Sequence, residues 1–138
     1  MRAECVTSVV STTLAYLIGG VDAALEVLLV VVCLDMITGI IKAIKNGNYS
    51  SRCLREGIVH KVGYVIVIII CYQLDVLLLH GQLITRTAAI IFYIAVEISS
   101  IVENLGQMGV PIPSVIAKRL QRLNEISESD EEQTKEEK

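Results

Sequence analysis

Three stretches of this chain, residues 25–41, 62–79 and 83–102, are apolar almost throughout. Each has about the 17–25 residues that a helix needs to cross a hydrocarbon core of roughly 30 Å. In lipid the backbone has no water to bond with, so such segments are helices that satisfy their own N–H and C=O groups. The chain is 138 residues long, room for one ordinary domain, and is 53% hydrophobic with a mean hydropathy of +0.60. That is more apolar surface than a soluble domain of this size can hide, so lipid must cover part of it. A fourth stretch, 6–21, is shorter and carries Thr7, Ser8, Ser11, Thr12 and Thr13, which places its polar half at the interface. It could also be read as a cleaved signal peptide, with Arg2 as the basic end and a small-residue site near Ala23. Glu4 speaks against that reading, because it cancels the single positive charge.

The expected fold is therefore all-α: an integral membrane helical bundle of three to four transmembrane helices in residues 1–110, with spans at about 6–21, 25–41, 62–79 and 83–102. A cytoplasmic amphipathic helix at 111–126 and a disordered acidic tail at 127–138 follow.

Orientation follows from the basic residues, which favour the cytoplasmic side. The segment 42–61 holds Lys42, Lys45, Arg52, Arg55 and Lys61 against Glu56 alone, so it is expected in the cytoplasm as the topology determinant. The connections at 22–24 and 80–82 then face outward, and neither contains Lys or Arg. Arg86, just inside the last span, is expected to snorkel to that outer surface. With four spans both termini are cytoplasmic, which places Lys118, Arg119 and Arg122 on the positive side; with three, the N-terminus is outside. The net charge of −3 hides this pattern, since seven of the fifteen acids lie in the last fourteen residues. Without that tail, ten basic residues face eight acidic ones.

Asn46-Gly47-Asn48 is a turn signal, and Ser51 is placed to cap a short helix from Arg52 that would lie on the membrane and end at Lys61. Pro111 and Pro113 break the last helix. Ser114 can cap another, in which Ile116, Leu120, Leu123 and Val115 form a stripe beside Lys118, Arg119 and Arg122, a pattern suited to the inner leaflet. From Ser127 the chain has no apolar residue and is expected to be disordered.

Polar residues inside the apolar stretches carry the functional signal. Asp35, Asp75 and Glu97 fall within spans, where an ionised side chain costs about 2.5–3.5 kcal/mol or more. Asp35, Thr38, Gly39 and Lys42 recur at i, i+3, i+4 and i+7, hence on one helix face. Glu97, Ser100 and Asn104 do the same, with Glu103 about a sixth of a turn away. Two such faces point to hydrogen bonding between helices, to oligomer contacts or to a wet path. The plainer alternative is folding glue, each carboxylate paired with Lys42 or a backbone group. Gly39 with Ala43, Ala15 with Gly19, and Ala95 with Ser99 are small residues four apart, a spacing that lets helices approach closely.

The chain has no phosphate-binding glycine loop and no histidine pair at metal-ligand spacing. His60 and His80 fall at opposite ends of one span, at headgroup level. Cys5, Cys33, Cys53 and Cys71 are too irregular for a zinc site or redox pair and read as free thiols. No basic patch is interleaved with aromatics, so nucleic acid is not an expected partner. No enzyme, cofactor or metal is expected.

The run Leu34-Asp35-Met36-Ile37-Thr38-Gly39, followed by Lys42-Ala43, resembles the central signature of the phage-lysis and toxin-secretion holin family, which includes the clostridial toxin-release holins. The resemblance continues in Ser50-Ser51, Gly57, Lys61, Asp75, and Glu97 with Ser100, Glu103 and Asn104, and ends at Pro111 and Pro113. It spans about residues 25–123. It implies a homo-oligomer in the bacterial cytoplasmic membrane that assembles into lesions, dissipates the membrane potential and releases an endolysin or a toxin, without stable binding to either. Two other readings fit the residues: a small four-helix, proton-coupled multidrug or ion transporter with an embedded acid as its cation site, and a non-pore membrane adaptor. The long basic loop, the acidic tail and the absence of Trp weigh against the transporter.

Overall fold

The computed structural model describes residues 2–47, 51–116 and 118–119, with side chains from Val6 onward except those of residues 51–54. Among the described residues four long helices follow one another: α1 (Arg2–Ile18), α2 (Ala23–Lys45), α3 (Ser51–Leu78) and α4 (Ile84–Gln107). Among the described residues α2, the Arg55–Leu78 part of α3, and α4 are each long and apolar enough to cross a membrane, with mean hydropathies of 2.4, 1.9 and 1.6. The apolar part of α1, Val6–Ile18, is shorter. The protein is thus an all-α membrane bundle.

Each helix is bounded by local chemistry. Asp22 caps α2, its carboxylate accepting from Leu25 N at 3.0 Å, the bond that satisfies an otherwise orphaned N–H. At the C-terminus of α1, Gly19 and Gly20 take positive φ of 86° and 93°, with Gly20 N donating to Ala15 O and Gly19 N to Tyr16 O. This left-handed closure favours glycine. α4 ends the same way at Gly109, with Val110 N bonded to Leu105 O. The last span therefore stops before Pro111 and Pro113, which follow a helix already closed by glycine.

The segment expected to lie on the membrane as a separate short helix is instead the first turns of α3, which runs unbroken from Ser51 to Leu78. Between the turn at Asn46-Gly47 and Lys61 the lone glycine, Gly57, is too weak a breaker to stop a propagating helix. Past Pro113, residues 114–116 and 118–119 are helical. The rest of the expected amphipathic helix, Arg122 included, and the acidic tail lie outside the described residues.

α2 and α4 run parallel and pack along their length, α3 runs antiparallel against α4, and α2 and α3 barely meet. The bundle has two ends. At one, Asp22 meets Arg86; at the other, Lys45 Nζ donates to Met108 O at 2.5 Å, a cation on the carbonyl end of α4. Leu25, Leu28, Ile68 and Ile90 form the buried apolar core, yet Asp75, Arg86, Glu97 and Asn104 are buried as deeply. Meanwhile Val27, Leu29, Val30, Ile66, Ile70 and Ile91 point outward. This reverses the pattern of a water-soluble protein. Lipid gives apolar side chains no reason to hide, so polar pairing and close packing decide what goes inside.

Candidate functional site

Midway along the bundle, three helices each bring a charge to one place. Lys61 on α3 donates to Asp35 Oδ2 on α2 at 3.0 Å and to both carboxylate oxygens of Glu97 on α4. Asn104, about one turn beyond Ser100 on α4's polar face, reaches α2: its Nδ2 lies 3.4 Å from Asp35 Oδ1 and 3.3 Å from Thr38 Oγ1. Thr38 Oγ1 itself donates to Asp35 O at 3.0 Å. The Lys61 ammonium also sits 5.4 Å over the Tyr64 ring, which stacks on Tyr93 with centroids 4.0 Å apart. An ammonium over an aromatic face gains from the ring quadrupole.

The sequence explains why these groups meet. Lys61, Tyr64 and Ile68 share one face of α3, so the stripe that places Ile68 in the core also turns Lys61 inward. Glu97 follows Ile90 by seven residues on α4, two turns along the same face. Asp35 follows Leu28 by seven on α2 in the same way. Leu28 and Ile90 are thus each continued, two turns on, by a charged residue.

Beside this cluster, where α2 and α3 splay apart, lies a cavity of about 380 Å³. Asp35, Lys61, Glu97, Ser100 and Asn104 line it, with Lys42, His60 and Tyr64 nearby on its wall. Gly39, Ala43 and Gly57 leave the room: a Cβ at Gly57 would meet nothing within 4 Å, and one at Gly39 would meet Asn104 Nδ2 at 3.8 Å. Two acids and one lysine make a cluster that can exchange charge with water entering the cavity. Among the described residues no group of His, Cys, Asp and Glu is arranged to hold a metal ion.

A second polar cluster closes the Asp22–Arg86 end. Asp75, one turn before the end of α3, accepts from Thr85 N at 2.9 Å and Arg86 N at 2.8 Å. These are orphan donors of α4, whose own N-cap, Leu83, has no side chain able to serve them. The Arg86 guanidinium donates to Ile18 O at 2.5 Å, Gly20 O at 2.8 Å and Asp22 Oδ2 at 2.5 Å. That guanidinium holds the Asp22 carboxyl below the usual carboxylate range, helped by the Leu25 N–H and opposed by partial burial.

The sequence-predicted residues therefore divide. Asp35, Thr38, Gly39, Lys42, Glu97, Ser100 and Asn104 come together at the cavity. Asp75 is at the opposite end of α3, bonding backbone. Glu103 is exposed and accepts from Gln107 Nε2 at 3.0 Å, away from the cluster. Asp35 pairs with Lys61 in place of Lys42. Of the residues assigned to topology, Lys45, Arg55, Lys118 and Arg119 are exposed, the side chain of Arg52 lies outside the described set, and Lys61 is the central cation of the cavity. Arg86 does not snorkel: it is fully buried, because three acceptors at the end of α1 and start of α2 offer a guanidinium more than the headgroup layer would. His60 lies within α3 on the cavity wall, and His80 sits in the exposed α3–α4 turn with φ of 53°. Cys33 and Cys71 are free thiols, and those of Cys5 and Cys53 lie outside the described side chains. Sequence reasoning missed the roles of Lys61 and Arg86. The available signal was bookkeeping: embedded acids need cations, and these are the two basic residues nearest the apolar cores of α3 and α4.

The chain matches the bacteriophage holin family over residues 12–125, a segment that contains both clusters. It is 42% identical over 120 residues to the "Probable holin" of Bacillus phage phi105, covering 86% of this chain and 84% of that one. It is 43% identical over 121 residues to the uncharacterized protein YqxH of Bacillus subtilis, covering 87% and 81% of the two chains. With the uncharacterized protein CPE0383 of Clostridium perfringens the identity is 36% over 113 residues, 82% and 84% of the two chains. No solved structure matches. A helical bundle with lipid-facing apolar surfaces, paired charges inside it and this match along most of its length is a multi-pass protein of the cytoplasmic membrane, and it belongs to the bacteriophage holin family.

Proposed function

We propose that this protein acts as a holin by oligomerising in the bacterial cytoplasmic membrane and forming lesions that depolarise it and let an endolysin, or a toxin, cross. The observation that carries this reading is the Asp35–Lys61–Glu97 cluster beside a cavity at mid-bundle. While the three helices stay together, each charge has a partner and the cost of burying it is offset. When subunits rearrange and α2 parts further from α3, the same groups face water, where an ionised carboxylate or ammonium is far less costly than in lipid. A small separation at the cavity thus turns a packed polar face into a wetted one, and lipid-facing apolar surface on every helix is available for neighbouring copies. The basic residues at the Lys45–Met108 end support a cytoplasmic side for that end under the positive-inside rule. Arg86, the exception at the other end, is neutralised by Asp22.

The test is membrane potential and viability after inducing this protein alone in a bacterium, then with an endolysin that has no export signal. Abrupt depolarisation after a lag, with lysis only when the endolysin is present, is the expected result. Glu97→Gln and Asp35→Asn should each shift the lysis time, and unchanged timing in both removes the cluster from the mechanism. The cavity also favours a second reading, a cation transporter using Glu97 or Asp35 as its site. That reading predicts steady, substrate-dependent flux from cells that remain viable.

A further inference from the structure

Arg86 makes three side-chain hydrogen bonds, and all three acceptors lie between the last residue of α1 and the N-cap of α2. Two of them, Ile18 O and Gly20 O, are carbonyls at the end of α1, where the helix dipole is negative and the last carbonyls have no intrahelical donor. The third is Asp22, which stays with α2 as its N-cap. The guanidinium itself has no exposed surface. Elsewhere α1 turns Val6, Val9, Val10 and Tyr16 outward. At this end Ile18 packs against the apolar core and a Cβ on Gly19 would collide with the Tyr72 ring of α3, the helix that α1 lies against. Gly19 and Gly20, both at positive φ, form a swivel between the end of α1 and the Asp22 cap of α2.

We propose that Arg86 is a latch that holds α1 on the α2–α3–α4 bundle as a strap, and that breaking its pairing with Asp22 lets α1 swing away about Gly19–Gly20 while the other three helices keep their packing. The Asp22 carboxylate neutralises a guanidinium that is otherwise shut away from water. Without that countercharge the buried cation is costly, and it is relieved by leaving its place beneath the end of α1. Asp75 remains bound to the Thr85 and Arg86 backbone, so the start of α4 does not depend on the latch.

The test uses the full chain in lipid nanodiscs with its four cysteines replaced by serine, diluted with unlabelled protein so that only intrachain distances are read. Spin labels at Val10→Cys and Ile91→Cys, both exposed positions, report α1 against α4 by pulsed electron resonance. A second pair, Leu29→Cys and Ile91→Cys, reports α2 against α4. Asp22→Asn retains an oxygen for the Leu25 N–H but removes the charge. It should give a new long-distance population in the first pair, at least tenfold above the unsubstituted protein, with the second pair unchanged. Arg86→Gln should do the same. An unchanged first pair in both variants means that packing alone holds α1 and overturns the latch. Broadening of both pairs means that Arg86 and Asp22 merely stabilise the whole bundle and overturns it equally. None of these readings depends on lysis, so failure of the holin function and failure of the latch are separate results.

Discussion

The two polar clusters have the same composition, two acids and one base, and different physics. At the Asp22–Arg86 end, Asp75 spends its charge on two backbone donors at the start of α4, and half-exposed Asp22 faces both Arg86 and water. Both acids are satisfied because they stand where helices begin, and helix starts offer free N–H groups and a positive dipole end. At mid-bundle, Asp35 and Glu97 stand where every backbone N–H already serves its own helix. They share Lys61, with the Asn104 amide as a distant second donor, and the charge left over faces the cavity. The same balance of charges thus makes a closure tied to backbone donors at a helix terminus and a site open to a cavity in a helix middle.

The sharpest way to break this comparison is to remove the shared cation. Lys61→Met strands the buried Glu97 carboxylate and the partly buried one of Asp35 and should cost about 3–5 kcal/mol, read as a large fall in the thermal midpoint of the detergent-solubilised protein. Adding Glu97→Gln should recover much of the loss. A cost below about 1 kcal/mol would mean that cavity water already carries both acids.

The corresponding change at the other end is Asp75→Ala, which leaves the Thr85 and Arg86 N–H groups unbonded and should cost about 2 kcal/mol. Asp75→Asn, with one acceptor oxygen kept, should cost about half as much. Hydrogen exchange at the Thr85 and Arg86 amides checks this directly, since their protection should fall in Asp75→Ala while that of Asn104 does not.

A smaller effect comes from one substitution made at both places. Gly19→Ala forces a side chain into left-handed backbone at about 1–2 kcal/mol and against the Tyr72 ring, so it should destabilise. Gly39→Ala, in ordinary helix with 3.8 Å to its nearest neighbour, should stabilise by about 0.5–1 kcal/mol. Thermal midpoints moving in the same direction would contradict the assigned packing.

The smallest effect is on pH. Asp22 is depressed below the ordinary 3.8, first by its bond to Arg86. A depressed carboxylate contributes stability that is present above its unfolded value and lost as pH falls through the folded one. The groups facing it are Arg86 and, behind that residue's backbone, the Asp75 carboxylate. The α1–α4 distance should therefore hold from pH 7 to 5 and loosen only below 3.8, and Asp22→Asn should abolish that dependence.

Much of the fold was legible because lipid imposes a simple rule on sequence. Long apolar runs specify helices, and the turn at Asn46-Gly47 specifies where α2 ends. The i, i+3, i+4, i+7 spacing put Asp35, Thr38, Gly39 and Lys42 on one face, and Glu97, Ser100 and Asn104 on another. Spacing within a helix could not say that Glu103, a sixth of a turn away, faces outward, or that the basic segment before residue 62 continues into α3.

What the sequence determined by itself was the helical class, the approximate place of the three long apolar runs, their solvent, and the presence of charges that would need partners. Only the tertiary structure decided the pairing. Lys61 reaches Asp35 across 26 residues and Arg86 reaches Ile18 across 68. Those distances along the chain are spanned by separate helices, whose relative rotation and register are set by packing, and one residue of rotation, about 100°, is enough to turn Lys61 from the cavity to the lipid.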